Sequence, residues 1–138
     1  MNHEIKVESL HINLSPVGFR RVASDTIQCV DGCNFGRFSL VPYFLYCRAI
    51  ELALKAKHLE QTTQQDVKDR FGHDLVASYN ALPSAAQALS AEEVRLLAEV
   101  TPHYVRKAFE YMQPGDAARG FSMFPNLPAL ADLAKKLL

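Results

Sequence analysis

The segment KDRFGHDL, residues 68 to 75, sets His73 and Asp74 directly behind a glycine and the charged run Lys68, Asp69, Arg70. A histidine changes charge near neutral pH and can take or give a proton. The stretch therefore reads as proton-transfer chemistry, as a buried polar tie, or as an ordinary loop. A second polar set lies upstream, where Arg48, Glu51, Lys55 and His58 follow one another at steps of three, four and three residues. At about 100° per residue these side chains fall within an arc of about 80° on a helix. Nearly every other face of that helix is apolar, which leaves two readings. Either Glu51 and Lys55 pair at a bundle edge with their heads in water, or the stripe forms a groove between helices, closed from the other side by His73. In the groove reading the binding set is Arg48, Glu51, Lys55, His73 and Asn80, the last lying seven residues beyond the histidine on the same side.

The elements that would position these groups are helical. Ser15-Pro16 reads as a cap followed by proline at the first helical position, and Phe19, Val22, Ala23, Thr26, Ile27 and Val30 recur at helical spacing up to Gly32. The following DGCNFGRF is a loop. Ser39 to about Glu60 is rich in helix formers and apolar almost all round, as expected of a helix in the middle of a bundle, with Pro42 harmless in its first turn. Thr62 and Gln65 have capping-box spacing and open a short helix to Gly72; His73 to Leu82 forms a second short segment. Asp74 reads as a first-turn acid favoured by the helix dipole.

Ser90 and Glu93 form another capping box. Thr101-Pro102 predicts a break or kink and a fresh helix with Tyr104, Val105, Ala108, Phe109 and Met112 on one face. PGDAARG, residues 114 to 120, reads as a loop, and Pro128 to Leu138 as a last amphipathic helix with Leu130, Leu133, Ala134 and Leu137 inward. Residues 1–14 read as an arm or short strand, and 15–138 as one domain. The fold class is all-α: an up-and-down helical bundle of four main helices plus short extra ones.

Bulk composition agrees with a single globular unit. A chain of 138 residues with 49% hydrophobic and 22% charged residues is long enough to bury a core without crosslinks. Lysine plus arginine equals aspartate plus glutamate at 15 each, so any nucleic-acid binding must come from a local patch. Arg20, Arg21, Arg37, Lys68 and Arg70, with Phe35 and Phe38 as stacking faces, are the residues for such a patch, unless each is simply solvated. Cys29, Cys33 and Cys47 have no repeated spacing, which points to a reducing, cytoplasmic setting. No apolar run approaches the ~18 residues that cross a bilayer. Cys29 and Cys33 lack a second close pair, so neither a metal site nor a cofactor is expected. Tyr43, Phe44 and Tyr46 cannot all face one core, which suggests that one meets a partner subunit in a homodimer.

The stretch RAIELALKAKHL followed by VKDRFGHDL resembles the signature of HEPN domains, in which a helix reading A-x-E-x-x-L-K precedes a G-H-D/N-L segment. The resemblance covers about a third of the chain. It implies a four- or five-helix bundle, often dimeric, whose members work beside nucleotidyltransferases in toxin-antitoxin pairs or as ribonucleases in defence. The active family pattern is an arginine, a polar residue and, a few residues on, a histidine, paired across a dimer to attack an RNA phosphodiester. His73 matches the histidine and Asp69 the polar residue. Lys68 stands in place of the arginine, and Arg70 is too near His73. Lysine is a point charge where arginine offers a bidentate fork, so the resemblance implies a non-catalytic module that binds a nucleotide, RNA or a protein partner such as a nucleotidyltransferase or antitoxin. The alternatives are a metal-independent endoribonuclease, with His73 as acid or base and Lys68 or Arg70 as phosphate clamp, and a plain helical adaptor.

Overall fold

The computed structural model describes residues 15–138; the arm or strand expected over residues 1–14 lies outside them. Seven α-helices and one 3₁₀ turn make up the described chain, with no strand among the described residues: α1 Ser15–Asp31, α2 Val41–His58, α3 Gln64–Phe71, α4 Leu75–Asn80, the turn Ser84–Ala86, α5 Ala91–Val105, α6 Pro114–Ala118 and α7 Leu127–Lys136. The all-α bundle is as expected, with α1, α2, α5 and α7 as its long members.

A helix apolar on every side is stable only if every side is covered, and α2 is: it touches α1, α4, α5 and α7. Cys47, Ala49, Ile50, Leu54 and Ala56 are fully buried along it. Contrary to expectation, the three aromatics at its start all join the one core, Tyr43 and Tyr46 buried in it and Phe44 packed against it, because their partners come from different sides of α2. The Tyr43 hydroxyl donates to the carbonyl of Pro125 at 2.9 Å, the Tyr46 hydroxyl to Asp31 at 2.6 Å, and Phe44 packs half-buried near Tyr104. No helix of the described residues is long and apolar enough to cross a membrane.

Capping chemistry sets the boundaries, with one displacement. Ser90 and Glu93 form the expected capping box, each side chain bonded to the other's backbone amide. On α3 the cap is Thr63, which accepts from the amide of Asp66, rather than Thr62, whose hydroxyl donates to the Asp66 side chain. The expected break at Pro102 does not occur: α5 runs through it to Val105. Proline withholds an amide from the carbonyl of Ala98, but Ala98 and Pro102 both face solvent, where water replaces the lost bond. Nor does a fresh helix come after it. Lys107 takes φ 62°, and the amides of Lys107 and Ala108 return to the carbonyls of Tyr104 and His103 at 3.1 and 3.0 Å, a Schellman closure. Because a side chain at this φ is strained, Lys107→Gly is expected to raise stability by up to about 1 kcal/mol in thermal melts.

PGDAARG is not a loop. Pro114 opens α6 and Gly120, at φ 61°, closes it with a second Schellman pair, Gly120 to Ala117 and Phe121 to Asp116. Proline at the start and glycine just past the end are helix punctuation; five residues are too few to show a period. The last helix starts at Asn126, whose side chain accepts from the amide of Ala129 at 2.9 Å, and Leu130, Leu133, Ala134 and Leu137 are buried as expected.

Candidate functional site

KDRFGHDL ends α3 at Phe71, turns through Gly72, His73 and Asp74 into α4, and returns one side chain to α2. Val67 is buried and anchors α3, and its neighbour Phe71 stacks on His58 at 4.6 Å. Gly72 then adopts φ 52°, ψ −116°, a backbone region open to glycine and strained for other residues. This reversal brings His73 back over α2. Asp74 leaves the turn as the N-cap of α4, its carboxylate accepting from the amide of Ala77 at 3.0 Å, rather than as a first-turn acid.

At the centre sits Glu51, whose side chain is 2% exposed. Lys55 donates to its carboxylate at 2.5 Å and Arg48 at 3.3 Å, from one turn on either side along α2. Tyr104 of α5 donates its hydroxyl to the other oxygen. His73 Nδ1 lies 3.1 and 3.2 Å from the two oxygens. Burial pushes the Glu51 carboxyl up, but the hydrogen bonds from Lys55 and Tyr104, the Lys55 charge and the His73 bond outweigh it and hold the group below the usual carboxylate range. The Tyr104 phenol is pushed far up, first by burial and then by the neighbouring carboxylate, so it remains a donor.

An ionised carboxylate can only accept. His73 Nδ1 therefore donates to it, from a side chain that is 60% exposed. A histidine bonded to a buried carboxylate on a largely exposed side chain is placed to exchange a proton or a hydrogen bond with a ligand.

Next to this cluster, α1, α2 and α3 enclose a cavity of about 270 Å³ lined by Arg48, Lys55 and Lys68, the carboxamides of Gln64 and Gln65, and the carbon surfaces of Phe19, Leu59 and Val67. The Gln64 carboxamide donates to Ser15 at 2.6 Å and so joins α3 to the start of α1. Glu51 offsets one of the three cationic charges from below, and the Lys68 ammonium has no ion-pair partner among the described residues. The cavity thus offers excess positive charge and several donors, which is the chemistry of an anion seat.

Several expected members stand elsewhere. His58 turns out of the stripe and bonds through Nε2 to the carbonyl of Ser78 at 2.8 Å, tying α2 to α4. Asn80 does not extend the network: its side chain is exposed, and its carbonyl accepts from Gln87. Asp69 is exposed and accepts from Gln65 at 2.8 Å. Arg70 lies over the Phe71 ring at 4.8 Å and lines a different cavity, of about 530 Å³, with Arg20 and Lys57. Two residues along a helix are about 200° apart, so α3 itself separates Arg70 from Lys68.

The wider basic patch comes together only in part, Arg20 and Arg70 lining one cavity while Lys68 and Arg37 stand apart from it. Gln64 sits beside Ser15 at the start of α1, whereas Arg37 lies past that helix's far end, roughly 25 Å away at 1.5 Å per residue. Arg20 is paired with Glu60. Among the described residues no group of three or more side chains is suited to hold a metal ion, and all three cysteines are free thiols.

Tyr104, Phe19, Gln64 and Gln65 were not singled out from the sequence as site residues. A buried tyrosine hydroxyl needs a partner, so Tyr104 carried a signal of pairing without naming Glu51. No family model matches the chain, and neither a curated protein nor a solved structure matches it.

Proposed function

We propose that this protein is a HEPN-like binding module whose ligand carries a phosphate, a nucleotide or an RNA end in the context the resemblance implies. The observation that carries the reading is the convergence of Arg48, Lys55 and Lys68 with two carboxamides on one cavity, beside a histidine whose side chain is largely exposed. Positive charge and several directed donors suit a phosphate better than a neutral ligand. Binding is favoured over cleavage because the would-be clamp is split. Lys68 faces the cavity, Arg70 faces the other side of α3, and His73 does not line the cationic pocket. A protein partner of the nucleotidyltransferase or antitoxin kind, and pairing of two copies, belong to the same reading.

One observation favours a second reading, metal-independent RNA cleavage: the Glu51–His73 pair has the geometry of a general base with its orienting carboxylate. Labelled RNA incubated with the protein in chelator separates the two, with light scattering for mass. Retention without cleavage is expected. The exposed His73 ring contributes little to stability, so His73→Ala should leave the melting temperature within a few degrees. RNA cleavage that disappears in folded His73→Ala would replace the binding reading with the nuclease one.

A further inference from the structure

The cationic cavity adjoins a second, open-sided chamber. Phe19, Arg48 and Gln64 line both, and beyond them Gly18, Val22 and Leu52 form the walls of a space of about 520 Å³ between α1 and α2. Its polar members apart from Ser15 are Arg48 and Gln64, the same side chains that edge the anion seat. The charge sits at one end of the groove and carbon surface at the other.

Gly18 is the second sign. It lies in the first turn of α1, where glycine is still a weaker helix former than alanine. Its φ is not in the left-handed region, and a Cβ built on it meets nothing within 4 Å. Neither backbone conformation nor close packing requires a glycine here. Gly18 is part of the chamber's lining, so a larger side chain at this position would take up some of its space.

From this the geometry points to an amphiphilic ligand: a phosphate monoester whose phosphate sits on Arg48, Lys55 and Lys68 and whose aliphatic group runs past Phe19 into the chamber beside Gly18. The inference rests on the reading of the three cations as an anion seat and narrows the group esterified to the phosphate. A phosphate monoester carries between one and two negative charges near neutral pH, which suits the cationic excess. A sugar in the carbon-walled chamber would lose water from its hydroxyls with few partners to replace it, whereas an alkyl chain gains by the transfer.

The test is calorimetric titration of the full chain with inorganic phosphate, then with butyl, hexyl and octyl phosphate below their aggregation concentrations, and with a nucleoside monophosphate. The expected result is binding that tightens about two- to fourfold per added methylene until the chamber is full. Gly18→Leu, which fills the space and favours the helix, should abolish that gain and leave inorganic phosphate unchanged. If inorganic phosphate binds but chain length adds nothing, the tail assignment fails while the anion seat stands. If no phosphate binds, both fail. A chain-length gain that survives Gly18→Leu, or a nucleoside monophosphate that binds more tightly than octyl phosphate, overturns the assignment of the chamber. So does a concentration-dependent doubling of mass that Gly18→Leu removes, since a second copy would then be the occupant that covers it.

Discussion

Glu51→Gln is expected to lower the stability of the bundle by about 3–5 kcal/mol, a drop of roughly 10–20 °C in melting temperature for a chain of this size. The carboxylate accepts from Lys55, Tyr104, Arg48 and His73 at once, from a position that is 2% exposed, and the Lys55 side chain is only 16% exposed. The amide keeps the shape, but it removes the charge that Lys55 is held against and turns an NH₂ group toward donors. Replacing the set together with apolar groups, Glu51→Leu with Lys55→Met and Tyr104→Phe, is expected to recover most of the loss, since no buried charge then lacks its partner. Thermal melts of the single and triple variants decide this; a Glu51→Gln protein within about 1 kcal/mol of the wild type would show that the cluster contributes little to holding the fold.

The same group predicts a pH dependence. Its folded pKa lies below the ordinary glutamate value of 4.5. A carboxyl with a depressed folded pKa stabilises the fold above its unfolded pKa and loses that contribution as pH falls through the folded value. The wild type should therefore weaken below about pH 4.5, and Glu51→Gln should show a shallower acid limb.

Arg48→Gln combined with Lys68→Glu is expected to weaken binding of a phosphate-bearing ligand by about 100-fold or more. Each charge-assisted bond to an anion is worth about 1.5–3 kcal/mol, and both cations are removed. Both side chains are at least partly in water, and Lys68 is exposed, so the fold should survive. Titration with pyrophosphate measures the loss directly. With RNA, the slope of log affinity against log salt should fall by about two. A change under threefold would remove the anion from this cavity. Gln at position 48 is chosen over Glu because a second carboxylate beside Glu51 would destabilise the protein for a separate reason.

The features of this protein that could be read from the sequence are those that local rules govern. Arg48, Glu51 and Lys55 had to share a face because they are a turn apart on an uninterrupted helix, and that helix had to be central because its other faces are apolar. The Ser90–Glu93 box and the inward set of α7 come from spacings of three and four residues. The local rules misled where two of them competed. At Pro102 a missing amide counted against the helix, yet the orphaned carbonyl faced water and α5 continued. At PGDAARG, five residues were too short to show a period around their own start and stop signals.

Tertiary structure alone decided which groups meet. The Tyr104 hydroxyl reaches a carboxylate 53 positions away, His58 leaves its stripe for the carbonyl of Ser78, and the cationic cavity needs Phe19 of α1 and Gln64 of α3 as walls. None of these pairings is encoded in a helical period. Each depends on the angle and depth at which whole helices settle, and the burial of all the apolar faces together fixes that, not any residue at the site.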